Sequence, residues 1–200
     1  IENIAKNERV YSVRFMGDVA YFVTFRQVDP LFSVDVSDPT SPKIIGSLKI
    51  PGFSDYLFPY GEGKLLGVGR SADETTGAVT GMKLSLFDIS NPANVTESFK
   101  TEVGNTYSEA LTNHKATLAD AEKNLIAFPY NDEKGKKYLI YSLESEGFSL
   151  KAEIPLGGDN STWGTCRGLY IGKLFYAVSD KEIAVIDMQT FQKTAELKIK

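Results

Sequence analysis

The stretch Phe32-Ser33-Val34-Asp35-Val36-Ser37-Asp38-Pro39 returns, little altered, as Leu84-Ser85-Leu86-Phe87-Asp88-Ile89-Ser90-Asn91-Pro92. Both are β-rich runs that end in Asp-[Val/Ile]-Ser-[Asp/Asn]-Pro. The ending is a stop signal with a physical basis. Asp and Ser side chains bond nearby backbone groups and hold a turn, and Pro, which has no N–H, keeps the ladder from continuing. Two weaker copies follow. Tyr138-Leu139-Ile140-Tyr141-Ser142-Leu143 runs into Glu144-Ser145-Glu146-Gly147, and Ile183-Ala184-Val185-Ile186-Asp187-Met188 runs into Gln189-Thr190.

Aligned on Asp35, Asp88, Ser142 and Asp187, the copies recur at roughly 45 to 54 residues, the span of a four-stranded propeller blade. Each unit fills in accordingly. The first predicts strands over 10–15, 20–25, 31–36 and 43–50, with Gly17-Asp18 as a hairpin turn. The second predicts 56–60, 64–69, 82–89 and 95–103, with Gly61-Glu62-Gly63 as the tight turn. The third predicts 115–119, 125–129, 138–143 and 148–154 around Asp120-Ala121-Glu122-Lys123, with Pro129 ending its strand. The fourth predicts 165–171, 174–179, 182–187 and 193–199, with turns at Gly172 and Asp180. The one helix candidate, Ser108-Glu109-Ala110-Leu111-Thr112, is a single turn at most.

Several of these strands are apolar on both faces, as in Asn124-Leu125-Ile126-Ala127-Phe128 and Ile183-Ala184-Val185-Ile186. Such runs need cover on two sides, which sheets packed between neighbours around an axis provide. A sandwich has no reason to repeat at this period, and a β-solenoid repeats at a much shorter one. The expected fold is therefore all-β: a β-propeller of four blades, each of four antiparallel strands, forming part of a larger propeller. The blades fall at 8–52, 53–105, 106–158 and 159–200. An open arc would leave apolar sheet faces bare at the first and last blades. Either the four close on themselves, or two copies pair as a homodimer that closes a ring.

Composition narrows the function. A formal charge of -4 disfavours nucleic acid or an anionic membrane surface as partner, since both need clustered Lys and Arg. The longest basic run, Lys134-Gly135-Lys136-Lys137, sits between two predicted strands and reads as a solvated hairpin tip. Cys166 stands alone, so no intramolecular disulfide forms. No apolar stretch approaches the ~20 residues of a membrane-spanning helix, so no membrane insertion is expected of this segment.

Specific segments carry a family resemblance. They are Glu8-Arg9-Val10-Tyr11-Ser12-Val13-Arg14-Phe15-Met16-Gly17-Asp18, then Val23-Thr24-Phe25-Arg26-Gln27-Val28-Asp29-Pro30-Leu31-Phe32, then Lys49-Ile50-Pro51-Gly52-Phe53-Ser54. With Tyr107-Ser108-Glu109-Ala110-Leu111-Thr112-Asn113-His114-Lys115-Ala116 and Leu169-Tyr170-Ile171-Gly172-Lys173-Leu174-Phe175-Tyr176, the chain resembles a bacterial and archaeal family of secreted proteins with a C-terminal β-propeller, a domain of unknown function. The resemblance implies export, a propeller fold, an extracellular or cell-surface location, and no settled activity. It also implies further blade-like sequence on the N-terminal side, with residues 1–4 as the tail of a preceding blade.

In a propeller, the loops from strand two to strand three and those between blades share one face, the usual ligand surface by fold analogy. The binding-face candidates are Arg26, Asp29, Asp55, Glu109, His114, Trp163 and Arg167. Asp29, Asp55, Glu109 and Asp159 offer the oxygen ligands that Ca²⁺ prefers, although no contiguous calcium-loop pattern occurs and acidic residues solvate loops everywhere. His114, the only histidine, is a candidate general base or ligand with Glu109 to orient it; the plainer reading is a loop His holding backbone groups. Trp163, with Tyr107 and Phe53, makes either an aromatic platform or packing between blades.

No nucleophile elbow, C-x-x-C pair or phosphate-binding glycine loop occurs. The expected function is a non-enzymatic binding or scaffold module for protein, peptide or glycan at the cell envelope, with no resident cofactor. The alternatives are a hydrolase or lyase at the axial mouth around His114, Glu109 and Arg26, and a structural module stiffened by Ca²⁺.

Overall fold

The computed structural model describes residues 1, 5, 8–25, 29–104, 107–157 and 165–199, with the side chain of Asp29 outside the described set. The described strands form four antiparallel sheets of four, each a meander in chain order. They fall into two compact units, Ile1–Asn105 and Thr106–Lys200.

The first unit holds β1 (Arg9–Met16), β2 (Val19–Phe25), β3 (Asp29–Asp35) and β4 (Lys43–Ile50) in one sheet. Its second sheet is β5 (Phe53–Pro59), β6 (Lys64–Ala72), β7 (Val79–Asp88) and β8 (Thr96–Gly104). The two sheets pack face to face through Tyr21, Val23 and Leu31 on one side and Phe53, Leu57, Leu65 and Phe87 on the other. Side chains of β1 also reach the backbone of β5. Ser12 Oγ donates to the Ser54 carbonyl at 2.8 Å, and Arg14 Nε donates to the Leu57 carbonyl at 2.9 Å.

The recurring turn has a place in this packing. Asp35 Oδ1 accepts from the backbone N–H of Ser37 at 2.9 Å and from its hydroxyl at 2.6 Å. Asp88 Oδ1 does the same with Ser90, at 2.9 and 2.5 Å. The Asn91 side chain then accepts from Ala93 N–H and caps a 3-10 turn, Pro92–Asn94, whose Pro92 carbonyl accepts from Ser33 Oγ in the neighbouring sheet. Gly46 is required for that approach, because a Cβ there would lie 2.7 Å from Ser33 Oγ and 2.8 Å from the Pro92 carbonyl. The second copy of the motif thus ends its sheet and docks on the previous one.

The second unit holds β9 (Leu118–Asp120), β10 (Leu125–Asp132), β11 (Gly135–Glu144) and β12 (Gly147–Pro155). Its other sheet is β13 (Arg167–Ile171), β14 (Leu174–Val178), β15 (Glu182–Asp187) and β16 (Lys193–Lys198). Leu125, Ala127, Tyr138 and Ile140 pack against Phe175, Ala177, Ala184 and Ile186.

Two expectations change here. The strand predicted over 115–119 is instead a 3-10 turn, His114–Ala116, followed by the short β9. Asn113 drives this by accepting from Lys115 N–H at 3.1 Å, the capping role that amide side chains favour. Pro129 does not end its strand, and β10 continues to Asp132. Pro129 pairs with Tyr138 on the β11 side, while β9 pairs only as far as Ala127. On that side Pro129 has no ladder bond to supply. The one-turn helix candidate is a 3-10 turn, Glu109–Leu111, capped by Ser108.

Candidate functional site

In the first unit the binding-face candidate with a described side chain, Asp55, sits at the end of the second sheet where β5 begins and β6 ends. Asp55 lies inside β5, not in a loop between blades, at a bulge where the register shifts between Ser54 and Tyr56. The ladder resumes so soon after Pro51-Gly52 that the short run Phe53-Ser54 is already strand. Arg70 Nε meets the Asp55 carboxylate at 3.2 Å. Burial pushes the Asp55 carboxyl up to about 6 from 3.8, against the pull of the Arg70 guanidinium. A buried carboxyl with an incomplete ion pair is therefore half-protonated near pH 6.

Phe53 is no surface platform. Its ring is 4.3 Å from that of Tyr11 and 4.4 Å from that of Phe25, and it is buried between the two sheets. Arg26 lies outside the described residues, and of Asp29 only its place at the start of β3 is described.

In the second unit the densest cluster forms where β13 begins, against the 3-10 turns that precede β9. The Glu109 carboxylate accepts three hydrogen bonds. Oε1 takes Asn113 Nδ2 at 2.8 Å and Arg167 NH1 at 2.8 Å, and Oε2 takes the backbone N–H of Cys166 at 3.0 Å. Arg167 NH1 also donates to the Cys166 carbonyl at 2.5 Å. Glu109 and Arg167 stand 58 residues apart, so no spacing in the sequence announces the pair. Cys166 is buried beside them, and desolvation raises its thiol pKa, which suits packing better than reactivity.

His114 opens the 3-10 turn just after Asn113 and is exposed. Glu109, the candidate orienting partner of His114, accepts from Asn113, Cys166 and Arg167. Tyr107 is exposed and bridges to Asn131, whereas Trp163 and Asp159 lie outside the described residues. Among the described residues, no three His, Cys, Asp or Glu side chains gather as metal ligands would. The basic run closes the β10–β11 hairpin, where Lys137 Nζ sits 2.7 Å from Asp132 and 2.8 Å from Glu153.

Sequence reasoning missed two further groups. The Tyr170 hydroxyl donates to Asp120 Oδ2 at 2.5 Å, tying β13 to β9 and holding the Asp120 carboxyl below its usual range. Lys83 is fully buried on β7 and donates to the Pro51 carbonyl at 2.7 Å. A lysine inside a run of apolar strand residues carries no signal except its interruption of the pattern.

Consecutive four-stranded meanders, packed face to face in pairs within each unit, are the blades of a β-propeller. The chain belongs to the Beta propeller domain family, which it matches over residues 1–191. It is 38% identical over 199 residues to an uncharacterized protein of Archaeoglobus fulgidus, covering all of this chain and 29% of that one. It is 33% identical over 193 residues to an uncharacterized protein of Methanocaldococcus jannaschii, covering 96% of this chain and 28% of that one. The chain thus spans less than a third of the length of these curated relatives. Among solved structures, apo AztD from Citrobacter koseri superposes with a TM-score of 0.55 at 13% identity, over 95% of this chain and 47% of that one. A protein described as a putative dipeptidyl aminopeptidase IV from Bacteroides ovatus gives 0.54 at 10% identity, over 96% of this chain and 29% of that one. At such identities the likeness is one of fold. No helix among the described residues is long and apolar enough to cross a membrane.

Proposed function

We propose that this chain is a non-enzymatic binding or scaffold module of a secreted or cell-surface protein, taking a protein, peptide or glycan on the loop end of its sheets. One observation carries the reading. The Glu109 carboxylate, the best placed acid on that end of the second unit, spends both oxygens on Asn113, Cys166 and Arg167. A general base or a Ca²⁺ ligand needs free lone pairs. A carboxylate that three donors already hold has little acceptor capacity left to offer and fastens structure first. The loops around such a rigid frame are then available for recognition, as in other propellers.

The test is an array of envelope glycans and envelope-protein peptides probed with the chain. Its variants are Arg26→Ala, Asp29→Ala, His114→Ala and Trp163→Ala, all of which leave the Glu109–Arg167 pair in place. A bound ligand that one or more of these abolishes is the expected result. The reading fails if none of the four changes binding. It also fails if the chain cleaves an acidic polysaccharide and His114→Ala stops the cleavage, which is the outcome the hydrolase or lyase alternative requires.

A further inference from the structure

Asn94-Val95-Thr96 follows the second copy of the recurring turn and matches the Asn-x-Ser/Thr acceptor pattern, with no proline between. Short patterns of this kind also arise by composition, so the fold has to decide whether these residues serve the turn. Asn94 closes the 3-10 turn Pro92–Asn94 through its backbone, N–H to the Asn91 carbonyl at 2.9 Å. Val95 is 7% exposed and belongs to the core between the first two sheets. Thr96 opens β8 opposite Asp88. Asn94 and Thr96 are both exposed, and among the described residues neither side chain has a hydrogen-bond partner.

The first copy shows what the turn itself requires. Aligned on Asp35 and Asp88, Ser41 stands for Asn94, Pro42 for Val95 and Lys43 for Thr96. Ser41 N–H closes its turn on the Asp38 carbonyl at 3.0 Å, and Lys43 pairs with Asp35 as Thr96 pairs with Asp88. The same turn is therefore built with no carboxamide at the first position and no hydroxyl at the third. Neither the turn nor the packing calls for Asn94 and Thr96. What the two share is presentation. Val95 is extended, with φ of -67° and ψ of 139°, and its side chain enters the core while those on either side face solvent. That alternation sets out the carboxamide and the hydroxyl two residues on, the two groups by which the acceptor pattern is read. The position is also clear of the loop end. β5 starts at the end of the second sheet where β6 finishes, so the β7–β8 turn lies at the other.

We propose that Asn94 is the acceptor of an N-linked oligosaccharide. In the transfer, Asn94 Nδ2 bonds to the anomeric carbon of a sugar carried on a polyprenyl phosphate or diphosphate. The bond from that carbon to the phosphate oxygen breaks, the lipid phosphate leaves with the electron pair, and Nδ2 gives one proton to a base of the transferase. The glycan then stands on a turn whose bonds do not use the Asn94 carboxamide, so the fold needs no rearrangement to carry it. The inference rests on the extracellular placement proposed above, because this transfer takes place outside the cytoplasm. It is independent of any ligand on the loop end.

Peptide mass spectrometry tests this on the full-length protein, recovered from the cells that make it and separated into cytosolic, envelope and medium fractions. Tryptic peptide 84–100 holds Asn94, and peptide 152–167 holds a second match, Asn160-Ser161-Thr162, which lies outside the described residues. The expected result is a glycan on peptide 84–100 in the envelope or medium, lost from Thr96→Ala and kept by Thr96→Ser. Both variants keep the Val95 anchor and the backbone turn. Exported protein with an unmodified peptide 84–100 overturns this inference and leaves the binding-module reading standing. A glycan that survives Thr96→Ala also overturns it, since the hydroxyl then plays no part in recognition. Protein found only in the cytosol, with peptide 84–100 unmodified, overturns the extracellular placement and this inference with it.

Discussion

Arg167 closes on Glu109, NH1 to Oε1 at 2.8 Å, and in doing so pins the start of β13 to the turn that precedes β9. Glu109 keeps 15% of its side chain exposed and Arg167 35%, so the pair is only partly desolvated. Its value lies chiefly in the third donor. Cys166 N–H is buried and has the Glu109 carboxylate as its acceptor. Glu109→Ala takes the acceptor from that N–H and the carboxylate partner from Arg167, for an expected loss of about 2–3 kcal/mol. Glu109→Gln retains one acceptor oxygen and is expected to lose about half as much. Urea denaturation followed by circular dichroism measures both, and equal stability of Glu109→Ala and the parent would remove the structural role.

Asp55 gives the first unit a pH dependence of the opposite kind to most acids. Its folded pKa, about 6, is raised above 3.8 by burial, so between those values the folded state holds more proton than the unfolded one. Stability from this group therefore falls as pH climbs from 4 through 6 and stays low above it. Asp55→Asn removes the penalty. The variant is expected to gain about 2–3 kcal/mol on the parent between pH 4 and pH 8, less whatever Arg70 forfeits by losing its partner. Thermal melts of both proteins at the two pH values decide it. A gap that does not widen with pH would show that Arg70 keeps the carboxyl ionised throughout.

The Asp residues that close the strands act in the reverse sense. Hydrogen bonds from Ser37 and Ser90 hold the carboxyls of Asp35 and Asp88 below their usual value, and backbone N–H groups of Thr190 and Gln189 do so for Asp187. A depressed folded pKa gives stability that is present above 3.8 and is lost as pH falls through the folded value. Asp88→Asn keeps an acceptor and should retain the turn while abolishing this acid-side loss. Asp88→Ala should lower the midpoint at neutral pH as well. Melts at pH 7 and pH 3 separate the two, and an alanine variant as stable as the asparagine one would exclude the turn hydrogen bonds as the cause.

These turns are also why the fold could be read from the chain. Asp35 and Asp88 make the same bonds to Ser37 and Ser90, and Asp187 repeats them with Gln189 and Thr190. A local bond between neighbours in sequence leaves a local trace. The third copy is faint because Ser142 replaces Asp, and its work is shared. Ser142 Oγ donates to Glu144 at 2.7 Å, and Asn124, in left-handed backbone with φ of 49°, clasps both N–H and C=O of Leu143. The candidate site was less legible for the same reason in reverse. The sequence marks Glu109 as an acid on a loop, but its partners at Cys166 and Arg167 belong to the next blade, and only packing brings them together. Asp55 reads as a loop residue in the sequence because the bulge that holds it carries no glycine or other residue signature at Asp55.

Gly168 offers a test of the packing that makes the second unit one body. It lies on β13 opposite Ala177, and a Cβ there would stand 2.7 Å from Phe175 Cζ and 2.7 Å from the Tyr138 hydroxyl. That hydroxyl is buried and donates to the Ala116 carbonyl at 3.0 Å, so it cannot swing aside without breaking its bond. Gly168→Ala must therefore push β13 off the third sheet, at an expected cost of about 1–3 kcal/mol. Tyr138→Phe loses the bond to Ala116, about 1 kcal/mol. Because Phe also removes one of the atoms in the way, the double variant is expected to be more stable than the two losses summed, by about 0.5–1 kcal/mol. The relief is partial, since Tyr138 Cζ at 2.9 Å and the ring of Phe175 remain. Strict additivity in a double-mutant cycle would mean that β13 accommodates the methyl by a shift that never meets Tyr138, and that the close approach of the two sheets at Gly168 is not what requires glycine there.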